Sequence, residues 1–333
     1  MKQKIAINGF GRIGRLSLGA ILQNDNLECV AINDLTDNKT LAHLLKYDSV
    51  HGRFPGDVKV EGDNIIINGQ YTIKCFSEKD PANLPWGKLG VDVVLESTGV
   101  FRTRALASKH IEAGAKKVLL SAPGKGGEIP TVVLGVNEHI IKKSHDVISN
   151  ASCTTNCLAP MAKILDETFG IEQGFMNTIH AYTADQNLMD APHRDLRRAR
   201  AAGVSIIPTT TGATSATEIV LPQLKGKLSG SAMRVPTICG SATDFIFSLS
   251  KQASVQEINA AIKSASQGSM KGIIEYTEDP LVSIDIVGNP HSCIFDSLST
   301  NKIGKLYKVL GWYDNEYAYS VRSVEMLEYI GNI

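Results

Sequence analysis

Short, almost continuously apolar runs recur through the first half of the chain. They are KIAIN (4–8), ECVAIN (28–33), VDVVLES (91–97), KKVLLSA (116–122), TVVLGV (131–136) and DVISN (146–150). Runs of this kind predict strands buried on both faces of a parallel sheet. Between several of them lie amphipathic stretches, such as RLSLGAILQ (15–23) and TRALASKHIEAG (103–114), that predict helices. Repeated strand–helix–strand units predict an α/β domain with a doubly wound parallel sheet of the Rossmann type. Residues 57–76 break the rhythm. There VKVEGDNIIINGQYTIKCF predicts short hairpin strands turning at Gly62-Asp63 and Asn68-Gly69.

The second half has a different pattern. GFMNTIHAYT, GSAMRVPT, TDFIFSLS, LVSIDIVG, SCIFDS and LYKVLGWYD predict longer strands, interrupted by a helical pattern at Val255–Ser266. This is the signature of an α+β domain whose mixed or antiparallel sheet carries helices on one face. The stretch EYAYSVRSVEMLEYI (316–330) has apolar residues at helical spacing and predicts a closing helix. A chain of 333 residues is comfortable for two domains. The expected division is a dinucleotide-binding domain over 1–152, joined by a C-terminal helix over 316–333, and a catalytic domain over 153–315.

Composition narrows the class further. Hydrophobic residues make up 43% and charged residues 20%, a profile that can bury a large core. Lys+Arg and Asp+Glu balance at 34 each, so no net field recruits nucleic acid or an anionic membrane. The start MKQKIAINGF runs straight into a strand pattern, without the apolar core of a signal peptide. No window reaches the roughly 18 apolar residues of a membrane helix. The six cysteines are mostly scattered singly and read as reduced thiols of a cytoplasmic protein. No spaced set of ligands predicts a metal site.

Asn8-Gly9-Phe10-Gly11-Arg12-Ile13-Gly14 is a G-x-G-x-x-G run. Alone such a run is weak, because glycines also make ordinary turns. Here it follows a strand and opens a helix, and an acid, Asp34, stands twenty residues past Gly14. Gly9 and Gly11 permit a tight turn and close approach of backbone to a pyrophosphate. The helix N-terminus adds free N–H groups and partial positive charge. Asp34 would accept from an adenosine ribose and repel a 2′-phosphate, which predicts NAD as cofactor.

SNASCTTNCLAP (149–160) places two cysteines four apart. Cys153 follows a predicted strand, and Cys157, Leu158, Met161, Ile164 and Leu165 fit one apolar helical face. Cys153 is then expected at a helix N-terminus, where the dipole lowers a thiol pKa. Residues four apart on a helix hold their Cβ atoms about 5–6 Å apart. A disulfide wants about 3.8 Å, so a local bridge would be strained. Pro160 inside the pattern predicts a kink or a freed carbonyl.

NGFGRIGR, NDL, KYDSVHGRF, ESTGVF, ASCTTNCLAP, HAYT, RRARAA, IIPTTTGA, GKLSGSAMRVPT and GWYDNE occur in this order along the whole chain. Together they closely resemble the phosphorylating glyceraldehyde-3-phosphate dehydrogenases of the bacterial and eukaryotic type. The resemblance implies NAD-dependent oxidative phosphorylation of glyceraldehyde 3-phosphate, with Cys153 as nucleophile and His180 as its base. It implies that Thr183 and Arg234 bind the substrate phosphate. Ser152, Thr154, Arg198, Thr211 and Gly212 would make up the rest of the phosphate-binding set, with Ser152 and Thr154 facing an anion. Arg12 and Ile13 would approach the pyrophosphate. Lys79 would stand near adenine, Thr98, Gly99 and Ser121 would close around the cofactor, and Asn315 would hold the nicotinamide carboxamide. A homotetramer is implied, with subunit contact around 183–204. The other basic residues of HRDLRRARA (193–201) are expected to be solvated or at a subunit contact. His43, His51, His110, His139, His145 and His291 are expected to be surface or packing residues.

The chain departs from the family pattern at a few places. TGATSA has Ser215 where a lysine is usual, and Ala191 precedes Pro192 where a larger leucine is common. The smaller residue leaves room near the adenosine ribose, but Asp34 still predicts NAD. The alternatives are the same fold acting on erythrose 4-phosphate, and an additional non-catalytic binding or adhesion role.

Overall fold

The computed structural model describes residues 2–333. The chain forms two compact units. The first comprises residues up to Val132, His139–Ala151 and Ser320–Ile333; the second comprises Val133–Glu138 and Ser152–Tyr319.

The first unit is built on an eight-stranded sheet. Gln3–Asn8 lies centrally, paired in parallel with Leu27–Asn33 on one side and Val93–Glu96 on the other. Val93–Glu96 continues in parallel to Lys117–Leu120, and that strand to Val147–Ser149. On the opposite side Leu27–Asn33 pairs in parallel with Tyr71–Phe76. The predicted excursion is present as Val58–Glu61 and Asn64–Ile67, antiparallel to each other and to Tyr71–Phe76. The order of the strands reverses at Gln3–Asn8, which places a binding crevice at the carboxyl ends of the central strands. Ile5, Ile7, Val93, Val94 and Leu95 are fully buried there, as near-continuous apolar runs demand.

The second unit carries a seven-stranded mixed sheet. Ile171–Ala181 is parallel to Leu228–Val235 and antiparallel to Ser241–Leu249. Ser241–Leu249 and Cys293–Ile303 each pair antiparallel with Leu306–Tyr313. The helices Cys153–Phe169 and Val255–Gln267 pack on this sheet. Ser254 and Glu257 form a reciprocal capping box that starts the second helix. In the core Phe247 stacks between Phe245 and Tyr307, at centroid distances of 4.9 and 5.7 Å.

Two predicted strands are absent. TVVLGV makes a single bridge, Thr131 to Ser149, and then turns, with the Val136 and Asn137 N–H groups donating to the Val133 carbonyl. Gly135, at φ 79°, permits that turn. Val132 and Val133 are fully buried, so the apolar run reports burial rather than extension. LVSIDIVG also turns: Asp285 N–H donates to the Val282 carbonyl, and the Asp285 carboxylate accepts from Val282 N–H. The predicted helix at 103–114 is two short ones, Arg104–Ala107 and Lys109–Glu112.

Candidate active site

In the first unit the glycines divide the labour of one turn. Gly9 has φ 90°, and a Cβ there would lie 2.7 Å from the Thr98 backbone nitrogen. A Cβ at Gly14 would lie 2.3 Å from the Gly9 carbonyl oxygen, so the helix Arg12–Leu22 sits against the turn. Gly11, the N-cap of that helix, faces open space. A tight turn, an open approach and close helix packing are the three requirements of a pyrophosphate cradle. Beside it is a cleft of about 440 Å³ lined by Gly9, Gly11, Asp34, Lys79 and Thr98, among others. Asp34 accepts from Phe10 N–H at 2.8 Å and Thr36 N–H at 2.9 Å, so the acid also clamps the glycine turn. These residues fit a dinucleotide.

Arg12, Ile13, Gly99 and Ser121 are not part of that lining. The Arg12 guanidinium is ion-paired with Asp48 and lies 3.2 Å from His51 Nδ1. What Arg12 offers a pyrophosphate is its place in the first turn of the helix, not a free charge. Ser121 bonds back to the Glu96 carbonyl through N–H and hydroxyl, at 3.0 and 3.2 Å.

In the second unit Ser152 caps the helix Cys153–Phe169, its hydroxyl accepting from Thr155 N–H at 3.2 Å. Ala151, just before, has φ 55°; among the described residues only Asn68 shares that left-handed state without being glycine. Such strain persists only where the surroundings enforce it. Here it turns the chain sharply from strand to helix, with Cys153 at the first helical position. The helix runs through Pro160 unbroken to Phe169. Cys157 is fully buried and its thiol meets the Gly311 carbonyl at 3.6 Å. All six cysteines are free thiols; five are buried and Cys153 is partly buried.

His180 enters from the strand Ile171–Ala181. Its Nε2 is 3.5 Å from Cys153 Sγ, and its Nδ1 is 2.6 Å from the Ala181 carbonyl oxygen. Nδ1 also lies 3.3 Å from Arg234 Nη1, which only donates, but the Ala181 carbonyl is the closer partner and only accepts, so Nδ1 carries the proton and Nε2 turns a lone pair to the thiol. Burial and the nearby Arg234 charge push the His180 pKa down to about 3. Burial pushes the Cys153 thiol up, against the Arg234 charge and hydrogen bonds to Thr154. The expectation of a thiol lowered by the helix alone is therefore reversed. Desolvation outweighs the Arg234 charge and the N–H groups of the helix start, and the resting pair is a neutral thiol facing a neutral imidazole.

Arg234 Nη1 reaches the Ala181 carbonyl at 3.0 Å and the Thr183 hydroxyl at 2.9 Å. Arg198 is bonded to Thr209 at 3.0 Å and ion-paired with Asp185. Asp185 also accepts from the Thr183 hydroxyl. Burial raises the Asp185 pKa, but Thr183, Arg234 and Arg198 outweigh it and hold the carboxyl below its ordinary range. Asp185 thus joins Thr183 to Arg198, and Thr183 in turn meets Arg234. Thr211 accepts from Ala213 N–H at 3.1 Å, and Gly212 is the N-cap of Ala213–Val220. Asn315 Oδ1 accepts from Gly240 N–H at 3.2 Å and the Ser241 hydroxyl at 2.9 Å, leaving its amide N–H groups to donate. The Thr154 hydroxyl points inward, 2.8 Å from Tyr313 Oη, and Ser152 spends its hydroxyl on the cap.

Sequence reasoning passed over Asp185 and Tyr313. Asp185 stands two residues beyond Thr183, and Tyr313 lies inside GWYDNE, so both were adjacent to recognised motifs. Tyr313 Oη bridges Thr154 and Thr178, each at 2.8 Å, and its ring meets His180 edge-on at 5.9 Å.

A Rossmann-type glycine cradle, together with a helix-start cysteine facing an imidazole, defines the class of dinucleotide-dependent oxidoreductases that work through a thiol. Comparison with known proteins narrows the class. A family model for the NAD binding domain of glyceraldehyde 3-phosphate dehydrogenase matches residues 3–104, and one for its C-terminal domain matches 152–315. Glyceraldehyde-3-phosphate dehydrogenase 2 of Streptomyces avermitilis is 57% identical, with 100% of this chain and 99% of the relative covered. Glyceraldehyde-3-phosphate dehydrogenase of Geobacillus stearothermophilus is also 57% identical, over the same shares. That of Mycobacterium tuberculosis is 56% identical over 99% of each. The chain belongs to the glyceraldehyde-3-phosphate dehydrogenase family.

Proposed function

We propose that this protein oxidises D-glyceraldehyde 3-phosphate with NAD and inorganic phosphate, giving 1,3-bisphosphoglycerate and NADH. The observation that carries the chemistry is the Cys153 thiol facing the unprotonated Nε2 of His180 at 3.5 Å. His180 takes the thiol proton as sulfur adds to the aldehyde carbon and passes it to the carbonyl oxygen, forming a thiohemiacetal. His180 then takes the hydroxyl proton as the hydride leaves, and a thioester to Cys153 remains. NAD, when bound, supplies the hydride acceptor. Phosphate attacks the thioester carbonyl, and the released Cys153 sulfur regains a proton. Arg234 and Thr183 hold the substrate phosphate, and Arg198, Thr211 and Gly212 hold the attacking phosphate. Backbone N–H groups at the helix start, which include those of Cys153 and Thr154, stabilise the oxyanion. Asn315 donates to the carboxamide, Asp34 accepts from the adenosine ribose, and Lys79 stands near adenine. The first unit serves as the NAD-binding domain and the second as the catalytic one.

The active form is proposed to be a cytoplasmic homotetramer. Phe175 and Ile246, register partners on one sheet face, are 49% and 43% exposed, which suits a self-contact. No described helix is long and apolar enough to cross a membrane. The deciding assay is NADH formation from glyceraldehyde 3-phosphate, dependent on phosphate and abolished by thiol alkylation. Equal or faster turnover of erythrose 4-phosphate would move the assignment to that substrate.

A further inference from the structure

Beneath the dinucleotide cleft lies a polar network that the chemistry above does not use. Glu96 ends the strand Val93–Glu96 and is 2% exposed; His110 is 0% and Asn8 1% exposed. Trp86 Nε1–H donates to His110 Nδ1 at 3.0 Å. An indole N–H only donates, so Nδ1 is the acceptor and the ring proton sits on Nε2. That proton points at Glu96 Oε2, 3.0 Å away. Asn8 Nδ2 donates to the same oxygen at 2.5 Å. Glu96 Oε1 accepts from Thr98 N–H at 2.9 Å and from the Thr98 hydroxyl.

Four donors therefore converge on one carboxylate, and only the ionised acid can accept from all of them. Glutamine would bring two N–H bonds into a shell made of donors. The network also reaches the cleft by two routes. Thr98, a cleft residue, is locked by Oε1, and its backbone nitrogen is the atom that a Cβ at Gly9 would strike. Asn8 is locked by Oε2, and its Oδ1 accepts from Asn33 Nδ2 at 2.7 Å. Asn33 in turn accepts from Glu78 N–H at 2.8 Å on the cleft wall.

We propose that Glu96 is a positioning residue for the cofactor. Its buried carboxylate, aimed by His110 and Trp86, fixes Thr98 and the Asn8–Asn33 pair, and so sets the affinity for the dinucleotide without touching the reacting atoms. The proposal rests on the assignment of this cleft to NAD.

Calorimetry with NAD and with ADP-ribose, alongside steady-state kinetics on the full chain, tests it. Loss of the charge-assisted bonds in Glu96→Gln is expected to weaken both ligands about tenfold or more and to raise KM for NAD equally. Turnover at saturating NAD stays within about twofold, because the bond-making groups are elsewhere. His110→Leu removes the aiming bond and also weakens both ligands. His110→Gln, whose amide can accept from Trp86 and donate to Glu96, restores affinity to within about twofold of the original. A folded Glu96→Gln that binds both ligands like the unaltered protein overturns the proposal, as does a fall in kcat with KM unchanged. If Glu96→Gln does not fold, the His110 pair decides, and equal affinities for the leucine and glutamine variants overturn it. Failure of the unaltered protein to bind NAD would instead overturn the assignment of the cleft.

Discussion

The imidazole of His180 stands with Nε2 3.5 Å from Cys153 Sγ while Nδ1 is held 2.6 Å from the Ala181 carbonyl. The strand thus fixes the tautomer that can take a proton from the thiol. Replacing His180 by asparagine is expected to cost roughly 10²–10⁴-fold in kcat, the range for a lost general base. Measuring Cys153 alkylation by iodoacetate against pH in both proteins checks this. Near-normal turnover in the variant would remove His180 from the mechanism.

Cys153 and Cys157 differ in access, not merely in position. Cys153→Ser is expected to abolish nearly all activity, and Cys157→Ser to leave most of it. Peroxide oxidises Cys153 first, since Cys157 is fully buried against Gly311. Peptide mass spectrometry over a peroxide time course reads the order directly. Earlier modification of Cys157 contradicts it.

The depressed pKa of His180 ties stability to acid. Its folded value, about 3, lies below the ordinary histidine value of 6.5. The unfolded chain therefore binds the proton first as pH falls. The stability contributed by the neutral buried ring is whole above pH 6.5 and is lost progressively toward pH 3. His180→Asn should lose less stability than the unaltered protein between pH 7 and 4. Denaturant titrations at both pH values give the difference, and identical pH slopes would refute the burial argument.

Gly9 leaves no room for a side chain. Its φ of 90° and the 2.7 Å approach to Thr98 N mean that Gly9→Ala must move backbone. Strain of this type costs about 1–3 kcal/mol. The variant is expected to lose NAD affinity by at least about tenfold, because the strain falls on the cradle itself. Calorimetric NAD binding decides, and unaltered affinity would disprove the cradle.

Tyr313→Phe removes the hydroxyl shared by Thr154 and Thr178. Buried partners left without it cost about 1–3 kcal/mol. Because Thr154 sits in the first turn after Cys153 and the ring abuts His180, kcat should fall with little change in KM for NAD. A stability loss with full activity would make Tyr313 purely structural.

Much of this was visible in the chain itself. The glycine spacing, Asp34 at the end of the second strand and the cysteine after DVISN are local signals, and the elements they opened are present. TVVLGV and LVSIDIVG misled because an apolar run reports burial, while a strand also needs continued pairing. Thr131 and Val132 meet the edge strand Val147–Ser149, but the turn onto the Val133 carbonyl ends that pairing at once. The His110 ring, expected only to pack or face solvent, carries a hydrogen bond on each nitrogen.

By itself the sequence determined the order of elements, the dinucleotide turn and the place of Cys153 at a helix start, since each depends on residues a few positions apart. Tertiary structure decided what faces what. His180 meets a cysteine 27 positions away, Thr154 meets a tyrosine 159 away, and Glu96 meets an asparagine 88 away. It also decided charge, because a pKa follows from the water that packing removes, and no local spacing records that.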